Sequence, residues 1–494
     1  MGAQSRRKRR RPGTAAGRKL WGGAFRGATA RIVEEFTASL PVDRRLYPYD
    51  IAGSIAHCEG LMRARVLSRR EGGRIVRALE AIRRELDTGR FRFHSADEDI
   101  HTAVERRLTQ RLGRTGRMLH AGRSRNDQVV LDVRLYLRDE IDALGARVAD
   151  LQSVLRRLAR RLLGQLVPGY THLQRAQPIL LSHHLLAYHD MFARDAERLS
   201  DCRRRVDTLP LGAGALAGAG FAVDRRFLAR RLGFARLSTN SLDAVGDRDF
   251  IAEFLAAAAI LATHLSRLGA EIVLWSTAEF GFVTLPDAFS TGSSMMPQKR
   301  NPDVAELMRA KAGRVFGALL ALLTVLKDLP LAYNRDLQED KAPLFDAADT
   351  LRITLEVAAA MLASLEWNSE RMREAAGDDQ LLATDLADML VERGVPFREA
   401  HDIVGRTVAL ARQRRCPLRA LAATDLARIS PHLTVALVAR LTPQASIARR
   451  RVIGGTAPTE VGRRLRELER EARPPRAPRA GRSAPPRPAR RTRR

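Results

Sequence analysis

Residues 126–162 read NDQVVLDVRLYLRDEIDALGARVADLQSVLRRLARRL. Apolar side chains fall at Val130, Val133, Leu137, Ile141, Leu144, Val148, Leu151, Leu155, Leu158 and Leu162, stepping by threes and fours. The mean step, about 3.6 residues, is that of one helix face buried along its length. At ~1.5 Å per residue the stretch predicts a helix of about 55 Å, a length that belongs in an extended bundle. Further helical patterns run from Pro178 to Val206 and from Phe250 to Trp275, and strand-like alternation is scarce. The fold expected is therefore all-α.

Composition agrees. The chain has 494 residues, 45% hydrophobic but only 5% aromatic, so Leu, Ala, Val and Ile must fill its cores, and Ala, Leu and Arg favour helix. That length exceeds one compact core. The formal charge of +29 invites a nucleic-acid reading, but residues 1–19 carry eight basic side chains and residues 473–494 carry nine, with no acid in either. More than half of the excess thus sits in two Arg-, Pro-, Ala- and Gly-rich ends, 1–18 and 473–494, which are expected to be disordered tails. Nucleic-acid binding is expected only as non-specific attraction to those tails. Six Lys stand against 79 Arg, so each retained Lys draws notice. Cys58, Cys202 and Cys416 are scattered, with no metal-type pairing, as in a reduced cytoplasmic protein. The apolar run Phe254–Ala262 falls short of the ~20 residues of a membrane span, and no apolar segment of the signal-peptide kind follows the basic N-terminus. His183, His184 and His189 lack an H-E-x-x-H pattern or nearby Cys, so no metal is expected there. The glycines of 211–218 lack the preceding strand and the acidic residue of a dinucleotide loop.

The segment 291–303, TGSSMMPQKRNPD, carries the most chemistry. It offers a glycine-flanked loop, the two hydroxyls of Ser293 and Ser294, and one of the rare Lys. It leads into a helix start read as an Asn301 cap, Pro302 at the first position and Asp303 in the first turn. A hydroxyl near a cation and backbone N–H groups can be activated towards its alkoxide, and the same donors can hold a carboxylate or a carbanion. An ordinary capped surface loop has the same composition.

Gly292-Ser293-Ser294, Met296-Pro297, Lys299 and Asn301 resemble the signature loop of the fumarase/aspartase superfamily, whose members eliminate fumarate from succinyl compounds. The continuation Gln298 to Asp303 looks like the argininosuccinate lyase branch, with Arg300 where a second Lys is usual. Four more segments are similar to that branch in the same order. They are Asp97–His101; Gly122–Gln128, preceded by Ala121 where Thr is usual; Tyr170–Gln174; and Asn240–Asp249, with Gly246 in place of the usual Ser. Leu331–Lys341 completes the set, and the resemblance covers roughly residues 19–470.

It implies a three-domain fold: an N-terminal helical domain at 19–122, a central long-helix bundle at 123–374 and a C-terminal helical domain at 375–472. It implies cleavage of argininosuccinate into arginine and fumarate, without metal or cofactor, by a cytoplasmic homotetramer whose sites are shared between subunits. Ser293 would remove the Cβ proton and Lys299 would stabilise the carbanion. His172, oriented by Glu306, would meet the departing guanidino group, directly or through water. Ser39, Ser124, Arg125, Asn126, Thr171, Asn301, Tyr333, Gln338 and Lys341 would grip the substrate, with Asp43, Asp99 and His101 behind them. Two other readings remain: a lyase of the same superfamily acting on another succinyl compound, or a catalytically retired structural or polyanion-binding homologue.

Overall fold

The computed structural model describes residues 29–472, so the expected tails at 1–18 and 473–494 lie outside the described residues. Helices dominate the described chain. Those that position the site are α1 (Tyr47–Arg63), α2 (Ile100–Leu112) and α3 (Arg125–Arg161), followed by a hairpin of β1 (Leu166–Thr171) and β2 (Gln174–Leu180). Then come α4 (Leu181–Val206), α5 (Asp249–Trp275), the two-residue strands β3 (Thr291–Gly292) and β4 (Arg300–Asn301), α6 (Asp303–Leu326) and α7 (Lys341–Ser364). All sheets among the described residues are two-stranded.

The periodicity of 126–162 corresponds to α3, and every apolar position of the stripe from Val130 to Leu158 is buried. Leu162 lies past the end of the helix and is half-buried. Each such side chain contributes about 1.5–3 kcal/mol when withdrawn from water, which is what keeps so long a helix in place. The expected helix from Pro178 begins three residues later, at Leu181. Pro178, Ile179 and Leu180 instead pair with Pro168, Val167 and Leu166 in the hairpin. The apolar alternation there is that of a strand feeding directly into a helix.

α5 departs from expectation in another way. Its length and composition alone suffice to cross a membrane, which the short Phe254–Ala262 run did not reveal; half of the apolar window is buried inside the protein, as in a core helix.

The chain divides into two compact units. Among the described residues the first comprises 29–149, 194–269 and 306–357, and the second 150–193, 270–305 and 358–472. In the first, one apolar cluster joins Ala56, Leu131, Leu135, Leu209, Leu211 and Leu228. In the second, a cluster runs from Leu382 through Leu390, Ile403 and Leu418 to Leu441.

The first unit also buries charge. Arg248 Nε donates to Asp340 Oδ2 at 2.7 Å, and Lys341 Nζ to Asp340 Oδ1 at 2.6 Å, with all three side chains at most 4% exposed. Burial pushes the Asp340 carboxyl upward, but Lys341 and Arg248 outweigh it and hold the group below its ordinary value. Asp340 therefore stabilises the fold at neutral pH, and that stabilisation disappears as pH falls through its lowered pKa. Removing the carboxylate strands two buried cations. Asp340→Ala is expected to lose roughly 3–5 kcal/mol of unfolding free energy. Denaturant unfolding at pH 7 measures it, and a loss near the ~0–1 kcal/mol of a surface pair would show the cluster to be energetically idle.

Candidate active site

The loop between β3 and β4 is a local construction. Thr291 pairs with Asn301 and Gly292 with Arg300, so residues 293–299 are pinched into a hairpin loop. At its start Ser293 Oγ accepts the backbone N–H groups of Met295 at 3.2 Å and Met296 at 3.0 Å. Two N–H donors aimed at one hydroxyl oxygen stabilise negative charge there, the condition a Ser needs to act as a base. Lys299 Nζ donates to Asn301 Oδ1 at 2.8 Å. The expected Asn301 cap is therefore not formed: Asn301 sits in β4, its side-chain oxygen is taken by Lys299, and α6 begins at Asp303. Arg300, where Lys is usual, pairs with Asp287 at 2.7 Å.

Thr171 and His172 lie at the tip of the β1–β2 hairpin. Thr171 pairs with Gln174, leaving His172 and Leu173 as a two-residue turn with φ of 53° and 57°. A turn with both residues left-handed matches the twist of a hairpin but suits Asn-Gly, not His-Leu. Each non-glycine residue there costs roughly 1–2 kcal/mol, and strain of this kind concentrates at functional positions. It holds the imidazole at an exposed apex. Both Ser293 and His172 belong to the second unit, and among its described residues no hydrogen bond joins them.

Most of the other expected residues belong to the first unit, and Ser124, Arg125 and Asn126 stand together at the start of α3. Ser124 Oγ accepts the N–H of Asn126 at 3.2 Å, and Asn126 Nδ2 donates to the Ala215 carbonyl at 3.0 Å. Arg125 lies 3.4 Å from Asp99, which caps α2 by accepting the Thr102 N–H at 2.6 Å. Ser39 Oγ donates to Asp43 Oδ2 at 2.5 Å, and Asp43 Oδ1 accepts the Ile100 N–H at 3.0 Å. Gln338 Nε2 donates to the Thr37 carbonyl at 3.3 Å. Tyr333 is half-buried, and burial raises its phenol above the ordinary range. Lys341 is almost wholly buried against Asp340, as described above, and Glu306 is exposed in the first turn of α6.

Several neighbours of these residues escaped the sequence reading. Asp127 accepts the N–H groups of Ser124 (3.0 Å), Gly212 (3.0 Å) and Gly214 (2.9 Å), tying the glycine-rich turn to the start of α3. Its place between Asn126 and Gln128 was the only available signal. Two histidines of α4 have structural partners: His184 meets Glu271 at 2.6 Å and packs on Trp275 with ring centroids 4.8 Å apart, and His189 lies 3.4 Å from Asp190. Among the described residues, the group of side chains near enough to share an ion is elsewhere, at Asp50, His101 and Asp132.

Gly246 illustrates fine positioning. A Cβ there would stand 2.7 Å from the Ala332 carbonyl oxygen, and Ala332 itself has a φ of 67°. The absent side chain thus admits the strained backbone that presents Tyr333. Gly246→Ala is expected to cost roughly 1–3 kcal/mol of stability and to raise KM more than it lowers kcat. Thermal unfolding and steady-state kinetics test this, and an unchanged KM would separate Gly246 from the site.

Known proteins can be set beside this geometry. The lyase family matches residues 23–317, and the argininosuccinate lyase C-terminal family matches residues 380–448. The chain is 55% identical to the argininosuccinate lyase of Desulforudis audaxviator (strain MP104C) over 443 residues, which are 90% of this chain and 96% of that one. It is 54% identical to the argininosuccinate lyase of Pelotomaculum thermopropionicum, with the same coverage of both. Among solved structures, EDDS lyase in complex with formate superposes with a TM-score of 0.80 at 29% identity, over 90% of each chain. Class II fumarase from Schistosoma mansoni does so at 0.71 and 18% identity, over 84% of this chain and 94% of that one, a likeness of fold.

Proposed function

The chain belongs to the argininosuccinate lyase family of the fumarase/aspartase superfamily, a family of carbon–nitrogen lyases, and on that premise we propose the following roles for its residues. The enzyme cleaves argininosuccinate into arginine and fumarate, a step of arginine biosynthesis; relatives this similar leave the other succinyl substrates and the retired homologue unfavoured. Ser293 removes the proton from Cβ of the succinyl moiety. The electron pair left on Cβ is delocalised into the neighbouring carboxylate, where Lys299 meets the added charge. Collapse of that carbanion forms the double bond of fumarate, breaks the Cα–N bond and sends the pair to the guanidino nitrogen. His172, oriented by Glu306, returns a proton to that nitrogen, directly or through water.

The observation that carries this reading is the pair of backbone N–H groups on Ser293 Oγ, in the same loop as Lys299. A free Ser hydroxyl cannot ionise near neutrality; donors pre-aimed at its oxygen and a nearby ammonium lower the cost. Ser39, Ser124, Arg125, Asn126, Thr171, Asn301, Tyr333, Gln338 and Lys341 hold the substrate's carboxylates and amino-acid end, chiefly as hydrogen-bond donors.

The site is proposed to be composite. Among the described residues of one chain no hydrogen bond links Ser293 and His172, and α6 leaves Leu307, Phe316, Leu320 and Leu323 between 46% and 67% exposed. An apolar stripe of that size on a long helix calls for a partner surface, and a homotetramer supplies it, with each site drawing segments from several subunits. The three-domain division at 122/123 and 374/375 and a cytoplasmic location belong to the same proposal.

Ser293→Ala is expected to lower kcat by roughly 10²–10⁴-fold while the fold and assembly persist. Fumarate release from purified variant measures it, and near-normal turnover would assign the base elsewhere. Lys299→Arg should also fail, by at least ~10-fold or about 1.4 kcal/mol, because a planar guanidinium does not replace a compact ammonium. Composite sites make a further demand. His172→Asn and Ser293→Ala proteins, unfolded together and reassembled, should regain activity that neither regains alone. Confirmed hybrids with no gain would place both residues on one chain.

A further inference from the structure

Asp50 on α1, His101 on α2 and Asp132 on α3 meet inside the first unit, each with a side chain at most 1% exposed. His101 Nδ1 lies 2.9 Å from Asp50 Oδ1 and 3.4 Å from Asp132 Oδ2, so two carboxylates flank one imidazole edge. Their surroundings differ. Asp50 Oδ1 accepts from both His101 and Gln128. Neither oxygen of Asp132 has a hydrogen-bond partner among the described residues. We propose that this cluster is a buried proton-binding site, in which Asp132 is held as the neutral acid beside an ionised Asp50, and that it positions Gln128 and through it Arg125.

Energetics favour one proton over none. Ligand atoms of the two carboxylates approach within 4.8 Å. Two unit charges at that separation repel by about 3 kcal/mol at an effective dielectric constant of ~20. A buried carboxylate without a hydrogen bond, approached only by the His101 ring at 3.4 Å, adds a desolvation cost of several kcal/mol. Protonation of Asp132 removes both terms. On balance its surroundings act in the same sense: burial and Asp50 push its carboxyl well above the ordinary range, Asp43 adds to them, and the opposing pull of Arg123 and Arg125 is smaller. For Asp50, burial is overcome by the charge and hydrogen bond of His101, by Arg123 and by Gln128, leaving it at about 2. A divalent ion would have to share the cluster with the Arg123 and Arg125 guanidiniums, which a proton tolerates far better.

The proton matters because of where the chain of bonds ends. Gln128 donates to Asp50 with its amide nitrogen and accepts from Arg125 Nη1 at 2.8 Å with its oxygen. A single, fixed charge on Asp50 fixes the orientation of that carboxamide, and the carboxamide fixes Arg125. This consequence rests on the assignment of Arg125 to substrate binding; the protonation state does not.

Two arms test the two parts. A carboxyl with a raised folded pKa stabilises fully below its unfolded pKa, near 3.9, and loses that stabilisation as pH rises through the folded value. An Asn in its place has no proton to lose. Thermal unfolding of wild type and Asp132→Asn at pH 5 and pH 8 should show the difference moving in favour of Asn by about 2–4 °C or more. A difference that is flat with pH, or that moves the other way, overturns the neutral acid. Should the variant fail to fold, infrared spectroscopy of the wild type with isotope-labelled Asp must show a protonated carboxyl band at pH 7, and its absence has the same meaning. Stoichiometric divalent metal in the purified protein also overturns it. For positioning, Gln128→Met, close in volume and unable to make either hydrogen bond, should raise KM by ~10-fold with kcat changed far less. An unchanged KM, or equal effects on both constants, overturns the link to Arg125.

Discussion

One buried carboxylate, that of Asp127, ties together parts of the first unit that are far apart in sequence. It accepts three backbone N–H groups, from Ser124, Gly212 and Gly214, at 2.9–3.0 Å. Backbone N–H groups buried without acceptors are expensive, so the glycine-rich turn must find partners, and Asp127 supplies them. In the same stroke it sets where α3 begins, because its bond to Ser124 closes the first turn. Ser124, Arg125 and Asn126 are consequently presented at one helix end, and Asn126 returns the tie by donating to Ala215. The buried stripe of α3 anchors this end mechanically: its positions from Val130 to Leu158 are withdrawn from water.

The other functional segments are built differently, from strain and short-range hydrogen bonds. His172 and Leu173 are held left-handed by the pairing of Thr171 with Gln174, at a conformational cost that the hairpin offsets through its ladder and the buried Leu166, Val167 and Leu180. Ser293 is held by its own loop, where the N–H groups of the next residues turn back on its oxygen. The start of a long helix thus carries Ser124, Arg125 and Asn126, three of the residues proposed to bind substrate, and exposed turns carry Ser293 and His172, the residues proposed to transfer protons. Division of labour of this kind suits a reaction in which acid and base must reach a substrate already gripped by fixed donors.

The long helices were legible because their signal is dense: α3 repeats one buried face from Val130 to Leu158, and α5 is nearly continuous in apolar side chains. The start of α4 was misread because Pro178 to Leu180 carry an apolar pattern that suits strand and helix alike, and only pairing with β1 decides between them. Asn301 was misread as a cap for a related reason. An Asn before Pro-Asp has the composition of a cap, but whether its oxygen faces the helix or Lys299 depends on the β3–β4 pairing. Ser293, Lys299 and His172 stand out in the sequence only through motifs, and their catalytic roles remain the proposal made above. The partners Asp50, His101 and Asp132 come from three helices, and no local pattern foretells that three polar side chains will meet inside a core. Arg248 and Asp340 were equally hidden, since in a chain with 79 Arg one more carries no signal.

The central claim is that Ser293 abstracts the Cβ proton in a site assembled from several chains. A crystal structure of the assembled Ser293→Ala protein with argininosuccinate bound tests it most directly. The account predicts substrate with its Cβ–H directed at the position of residue 293, one carboxylate beside Lys299, and His172 of a different subunit near the guanidino nitrogen. Substrate bound with Cβ facing another side chain, or all of these groups supplied by a single chain, would contradict it.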